Sequence, residues 1–134
     1  FGGPLGVGPY QGQHANYFDR WREDIAELGR CDNVVAKLGG LTMPINGFDF
    51  HKNGVTADSK AIANALRPYV ESMLEAFSPS RCMFESNFPV DRECISYRTL
   101  WNMFKRIAAK AGLSEDEKTS VFSGTAARVY RLPD

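Results

Sequence analysis

The sequence predicts an α/β fold built on a parallel sheet, of which this chain carries only the closing part. Three observations lead there. Helical and strand-like patterns alternate along the chain, the order expected of βα units. Both strand-like runs are apolar on each face, as strands covered from two sides read. Two such strands do not make a sheet, so they need neighbours that this stretch does not supply. The chain also begins at Phe1 rather than at a methionine, inside a Gly/Pro-rich run, as expected of a piece of something longer.

Residues 1–13 read as a loop. "GGPLGVG" has glycines, but it lacks the preceding strand and following helix that a phosphate-binding loop requires. From Asn16 to Leu28, Tyr17, Phe18, Trp21, Ile25 and Leu28 recur at helical spacing opposite Arg20, Arg22, Glu23 and Asp24. Gly29 reads as the stop. "NVVAKLGG" is the first buried strand, and a loop of about twenty residues follows, a length usually tied to function or disorder. Ile62 to Phe77 is a second amphipathic helix that Pro68 is expected to divide. "RCMFES" is the second buried strand. Ser96 to Ala111 is a helix with Tyr97, Leu100, Trp101, Phe104, Ile107 and Ala108 on one face, ended by Gly112. "SEDE" opens a short helix with a capping box. Gly124 is expected to close it, and Thr125 to cap a last turn or two.

Composition excludes several classes. At 134 residues the chain suffices for one small domain. Its 16 basic residues balance 16 acidic ones, which argues against nucleic acid or an anionic membrane as partner. No apolar run approaches the roughly 20 residues of a membrane helix, and no signal-peptide pattern is visible. Cys31, Cys82 and Cys94 are an odd number without a CxxC, which fits a reducing, cytoplasmic setting. None has the histidine partner a thiol nucleophile needs. His14 and His51 belong to no metal-binding pattern.

Two stretches carry a family likeness. "RCMFESNFPVD", then "SYRTLWNMFKRIA" and "LSEDEKTSVFSGTAARVYRL", resemble the end of the amidohydrolase-related family. This family comprises (β/α)8-barrel hydrolases and decarboxylases, lactonases of sugar and aromatic-acid catabolism among them. Arg81, Ser86, Phe88 and Pro89 match its R-x-x-[FW]-G-S-D-[WF]-P strand. Gly124, Ala126, Val129, Tyr130 and Leu132 match its closing motif. "GGP" at 2–4 looks like the loop after a strand-end histidine, and "NVVAKLGGL" like strand seven. The resemblance implies that residues 1–134 form the last two βα units of a TIM barrel, one domain roughly twice this length. It also implies that reactive groups sit at the carboxyl ends of strands and in the loops that follow.

The site candidates follow from that placement. Asn87 stands where the family has an aspartate that binds metal or acts as base. An amide cannot take a proton, so Asn87 either orients a water or a carbonyl, or simply caps its loop. Asp91 is the nearest replacement base, or else a solvated turn carboxylate. Lys37, inside an apolar strand, meets a substrate carboxylate or reaches a neighbouring acid. Glu85 is expected to pair with an arginine on a covering helix. His51, in the long loop, and Arg92, a candidate carboxylate clamp, are substrate-binding candidates with surface roles as alternatives. His14 is a weaker one.

By resemblance, the family's HxH pair and later histidines, and a divalent metal (zinc or manganese), belong to the longer protein, with none bound by this stretch alone. The implied activity is addition of water to a lactone, ester or amide carbonyl of a small, carboxylated substrate. A decarboxylase on the same barrel and an inactive barrel kept for binding or assembly are the alternatives. A homodimer is the expected assembly of the longer protein. The isolated chain is expected to be inactive and poorly soluble, because its strand edges are open.

Overall fold

The computed structural model describes residues 5–52 and 58–133; the "GGP" likeness at 2–4 lies outside them. In chain order the elements are α1 (His14–Gly29), β1 (Ala36–Leu38), α2 (Ser59–Phe77), β2 (Cys82–Phe84), α3 (Tyr97–Lys110), α4 (Glu115–Thr119) and α5 (Thr125–Tyr130). The strands pair in parallel, Ala36 opposite Cys82 through Leu38 opposite Phe84. Helix α2 makes the crossover between them. Both strands are shorter than the apolar runs that announced them. Among the described residues each has one neighbour, so the ladder lasts only while the two backbones stay in register.

Side chains alternate across a strand. Ala36, Leu38, Cys82 and Phe84 therefore share one face and join the core with α2 and α3. Phe84 stacks on Phe104 with ring centroids 4.3 Å apart and meets Phe122 edge-on at 4.9 Å. Tyr69 of α2 takes the edges of Phe18, Trp21 and Phe48. Lys37 and Met83 lie on the opposite face.

Helix α2 is continuous, against the expected division at Pro68. An internal proline costs about 3 kcal/mol, but Ile62, Leu66, Val70, Met73, Leu74 and Phe77 are all buried along this helix. At about 1.5–3 kcal/mol for each large apolar side chain, burial outweighs the break. Pro68 is also exposed, as is Asn64, whose carbonyl has no helical N–H to accept from at Pro68. At α2's start, the side chain of Asp58 accepts from the backbone N–H groups of Lys60 and Ala61.

Ser96 caps α3, and the Ser114–Glu117 capping box forms as expected. The next expectation fails. Gly124 does not end α4, and Thr125 caps nothing: a π turn over Ser120–Gly124 carries the helical path directly into α5. Fully buried Val121, with Phe122 packed on Phe84, holds that turn against the core. Thr125 instead donates to the carbonyl of Ser80 at 3.1 Å, and Arg128 donates to the same oxygen at 2.6 Å.

Just before β2, Arg81 ties three segments together. Its guanidinium donates to the carbonyls of Phe77 (3.0 Å), Gly29 (2.7 Å), Cys31 (2.9 Å) and Val34 (3.3 Å). These carbonyls lie at the ends of α2 and α1 and in the turn that follows, and of them that of Cys31 also accepts from the Val34 N–H at 3.1 Å. Arginine alone has the planar fork to reach them together.

Candidate functional site at the carboxyl ends of the strands

The two parallel strands end side by side, and the loops leaving them meet. After β1 comes "GGLT". A Cβ at Gly39 would overlap the Glu85 side chain and lie 2.8 Å from its carbonyl oxygen, so only glycine lets the strand ends approach this closely. Gly40 has φ +81°, and a Cβ there would stand 3.5 Å from Asn87 Nδ2. Asn46 Nδ2 donates to the Gly40 carbonyl at 2.7 Å. His14 Nε2 in turn donates to the carbonyl of Asn46 at 2.5 Å, and its ring stacks on Phe48. His14 therefore braces the loop that carries Gly40.

After β2, Asn87 takes φ +50°, a left-handed conformation that asparagine tolerates better than most residues. The chain then turns through the cis Phe88–Pro89 peptide into the short 3-10 turn Val90–Glu93. The Asp91 N–H donates to the Asn87 carbonyl at 3.2 Å. Across the same turn, Asn87 Nδ2 donates to Asp91 Oδ1 at 3.0 Å. Two of the predicted site residues are thus brought into direct contact.

Asp91 is 0% exposed, so it is not the solvated turn carboxylate that was one reading of it. Burial pushes its carboxyl above the usual range, with the Glu85 charge adding to the effect. The Asn87 amide and the Thr42 hydroxyl act against that shift. Thr42 faces the carboxylate without closing a hydrogen bond, and both Asp91 Oδ2 and Thr42 Oγ1 are buried without a partner among the described residues. The two residues line one small cavity, walled by Leu38, Leu41, Leu66, Val70, Leu100 and Phe104, with about 10 Å³ of room for the centre of a water molecule.

The remaining candidates lie apart from this pair. Lys37 Nζ meets Glu85 Oε2 at 2.6 Å. The partner of Glu85 is thus a lysine on the adjacent strand, not an arginine on a covering helix, because the parallel register sets the two side chains on one face. Glu85 raises the Lys37 ammonium above its ordinary value by hydrogen bond and charge, with a smaller contribution from Tyr130. His51 is exposed and lines a cleft with Gln11, Asp49 and Lys52 whose walls include neither Asn87 nor Asp91. Arg92 is exposed beside Asp91. Thr42 was missed from sequence. Its position a few residues past a buried strand's carboxyl end was the available signal.

Among the described residues, no three His, Cys, Asp or Glu side chains converge as a metal site would require. Asn87, the strand-end residue, offers only a neutral amide, so these residues do not by themselves fit a divalent ion. No helix among them is long and apolar enough to cross a membrane.

Comparison with known proteins adds a second line. A family model described as amidohydrolase matches residues 1–132. The chain is 35% identical over 117 residues to an uncharacterized protein, y4mH, of Sinorhizobium fredii, covering 87% of this chain and 34% of that one. It is 35% identical over 115 residues to an L-fucono-1,5-lactonase of Burkholderia multivorans, covering 86% and 36%. The solved structure of a Burkholderia multivorans amidohydrolase with bound zinc superposes with a TM-score of 0.72 at 34% identity, covering 86% of this chain and 38% of that one. A second structure of such an amidohydrolase, with bound HEPES, gives 0.71 at 33% identity, covering 87% and 40%. The chain spans about a third of the length of the curated relatives it matches.

Proposed function

Because the chain belongs to the amidohydrolase family, we propose that it supplies the last two strand–helix units of a (β/α)8-barrel hydrolase. That enzyme adds water to the carbonyl of a small, carboxylated lactone, ester or amide. The observation that carries this reading is the fixed Asn87 amide at the carboxyl end of a parallel strand pair, where barrel enzymes hold their reactive groups. A relative named as an L-fucono-1,5-lactonase makes lactones the first substrates to test.

In this role Asn87 orients rather than reacts. Its Nδ2 is engaged by Asp91, which leaves Oδ1 to accept a hydrogen bond from the attacking water or a substrate hydroxyl. The base that takes the water's proton then lies on a residue outside this chain, as do the ligands of any zinc or manganese the longer protein holds. Arg92 and His51, both exposed, are available to a substrate carboxylate. Lys37 is already neutralised by Glu85. The same neutral amide favours a second reading, a barrel that binds its ligand without turning it over.

The test is hydrolysis of a panel of sugar and aromatic-acid lactones by two proteins. One is the 134-residue chain, and the other a chimera in which residues 5–132 replace the matching third of the Burkholderia lactonase. The chimera is expected to open a lactone and the isolated chain to be inert. Asn87→Ala in the chimera should lower kcat at least about 10-fold. A chimera that folds and binds lactone but never opens it would replace the hydrolase reading with the binding one. Turnover by the isolated chain at the chimera's rate would show that the site is complete without further strands, against the proposal.

A further inference from the structure

Hydrogen bonding around Asn87 is incomplete on its hidden side. Asp91 Oδ1 accepts from the amide, but Oδ2 has no protein partner among the described residues, nor has the Thr42 hydroxyl. Asp91 is 0% exposed and Thr42 3%, so bulk solvent reaches neither. Buried polar atoms are rarely left unpaired, and ordered water is their usual remaining partner. Both residues border one cavity whose free space, about 10 Å³, is the room one water needs. The other side chains of that wall are apolar, so the hydrogen bonds of such a water converge on these two groups.

We propose that Asp91 is a positioning residue: together with Thr42, and one water trapped between them, it locks the Asn87 side chain with Nδ2 held inward and Oδ1 free to face substrate. The amide cannot turn over without setting its own oxygen against the carboxylate. Helices α2 and α3 present only apolar groups to it, Glu85 is the acid acting on it from β2, and Cys94 is the thiol in its own turn. The effect on turnover rests on the hydrolase reading above, while the locked amide and its water do not.

The deciding variant is Thr42→Val, nearly the same shape without the hydroxyl, with Thr42→Ser as its conservative partner. Three readouts are taken. Crystals of the chain should show one ordered water between Asp91 Oδ2 and Thr42 Oγ1, lost in T42V and kept in T42S. The side-chain amide resonances of Asn87 should shift and broaden in T42V and return in T42S. In the chimera, kcat should fall about 10- to 100-fold in T42V with KM within about twofold, and recover in T42S. A cavity closed by a direct Thr42–Asp91 hydrogen bond, with no water, overturns the proposal. So does a folded T42V whose Asn87 resonances are unchanged. If no protein in the series opens a lactone, the hydrolase reading falls, and the water and the amide resonances still decide this one.

Discussion

Arg81 and Asp91 stand at opposite ends of β2, and the chain treats their polar atoms in opposite ways. At the amino end, side-chain donors meet the backbone carbonyls. One guanidinium serves four carbonyls from three segments, and the Ser80 carbonyl takes donors from both Thr125 and Arg128. At the carboxyl end, two buried polar atoms remain without a partner among the described residues. A fold under selection for stability alone would close both ends. In barrel enzymes the amino-terminal face carries stability and the carboxyl-terminal face carries chemistry. The two ends of one short strand divide in that sense.

The sharpest way to break this comparison is Arg81→Ala. It removes the side-chain donor from the carbonyls of Phe77, Gly29, Cys31 and Val34 and unties α1 from the end of α2, with an expected loss of about 3 kcal/mol in urea denaturation. Arg81→Lys should recover less than half of that, since an ammonium cannot span the carbonyls as the planar fork does. If R81A is no less stable than the parent, the amino end is not the structural one.

Asp91→Asn probes the other end, with a smaller effect of opposite character. The amide introduced there still accepts from Asn87 through its own oxygen and carries no charge into the cavity. Because burial raises Asp91 above its ordinary 3.8, the folded chain keeps a proton that the unfolded chain releases in that window. The carboxyl's contribution is therefore most favourable below 3.8, and stability is lost as pH rises from there through the raised folded value. D91N removes that loss. It should gain stability relative to the parent across the window and hold the gain, within about 1 kcal/mol, at about pH 7. Parallel denaturation series at about pH 3.5, 5 and 7 measure it. A D91N that loses ground steadily as pH rises would mean that hydrogen bonding, not burial, dominates and holds the carboxyl below its ordinary value in the fold.

What could be read in advance divides along similar lines. Local signals were legible: the amphipathic repeats of α1 and α3, the Ser114–Glu117 box, and two runs apolar enough to be buried strands. The polar cluster at the end of β2 was legible too, through Asn87 and Asp91. The failures all involve partners distant in sequence. Pro68 was read by its own propensity, whereas six buried side chains on the far face of α2 decide the helix. Gly124 reads as a stop until Val121 and Phe122 are packed on β2. Glu85 was assigned an arginine because nothing in one strand reveals its register against the other. Thr42 acquires meaning only when the loop after β1 folds over a carboxylate that lies 49 positions further along.

Between the two ends of the strand lies the Lys37–Glu85 pair, on the face turned away from α2 and α3. At 2.6 Å the geometry is good, but the side chains are 50% and 25% exposed, so solvent screens most of the attraction. A double-mutant cycle with Lys37→Met and Glu85→Gln in the isolated chain should give a coupling of about 0.2–1 kcal/mol that shrinks as salt is raised. The same cycle in the chimera sharpens the comparison. If the remaining strands close over this face, the pair leaves solvent, and its coupling should grow and lose its salt dependence, while each single variant becomes more damaging. An unchanged, salt-sensitive coupling would mean that the face stays open, and that β1 and β2 do not enclose a barrel interior there.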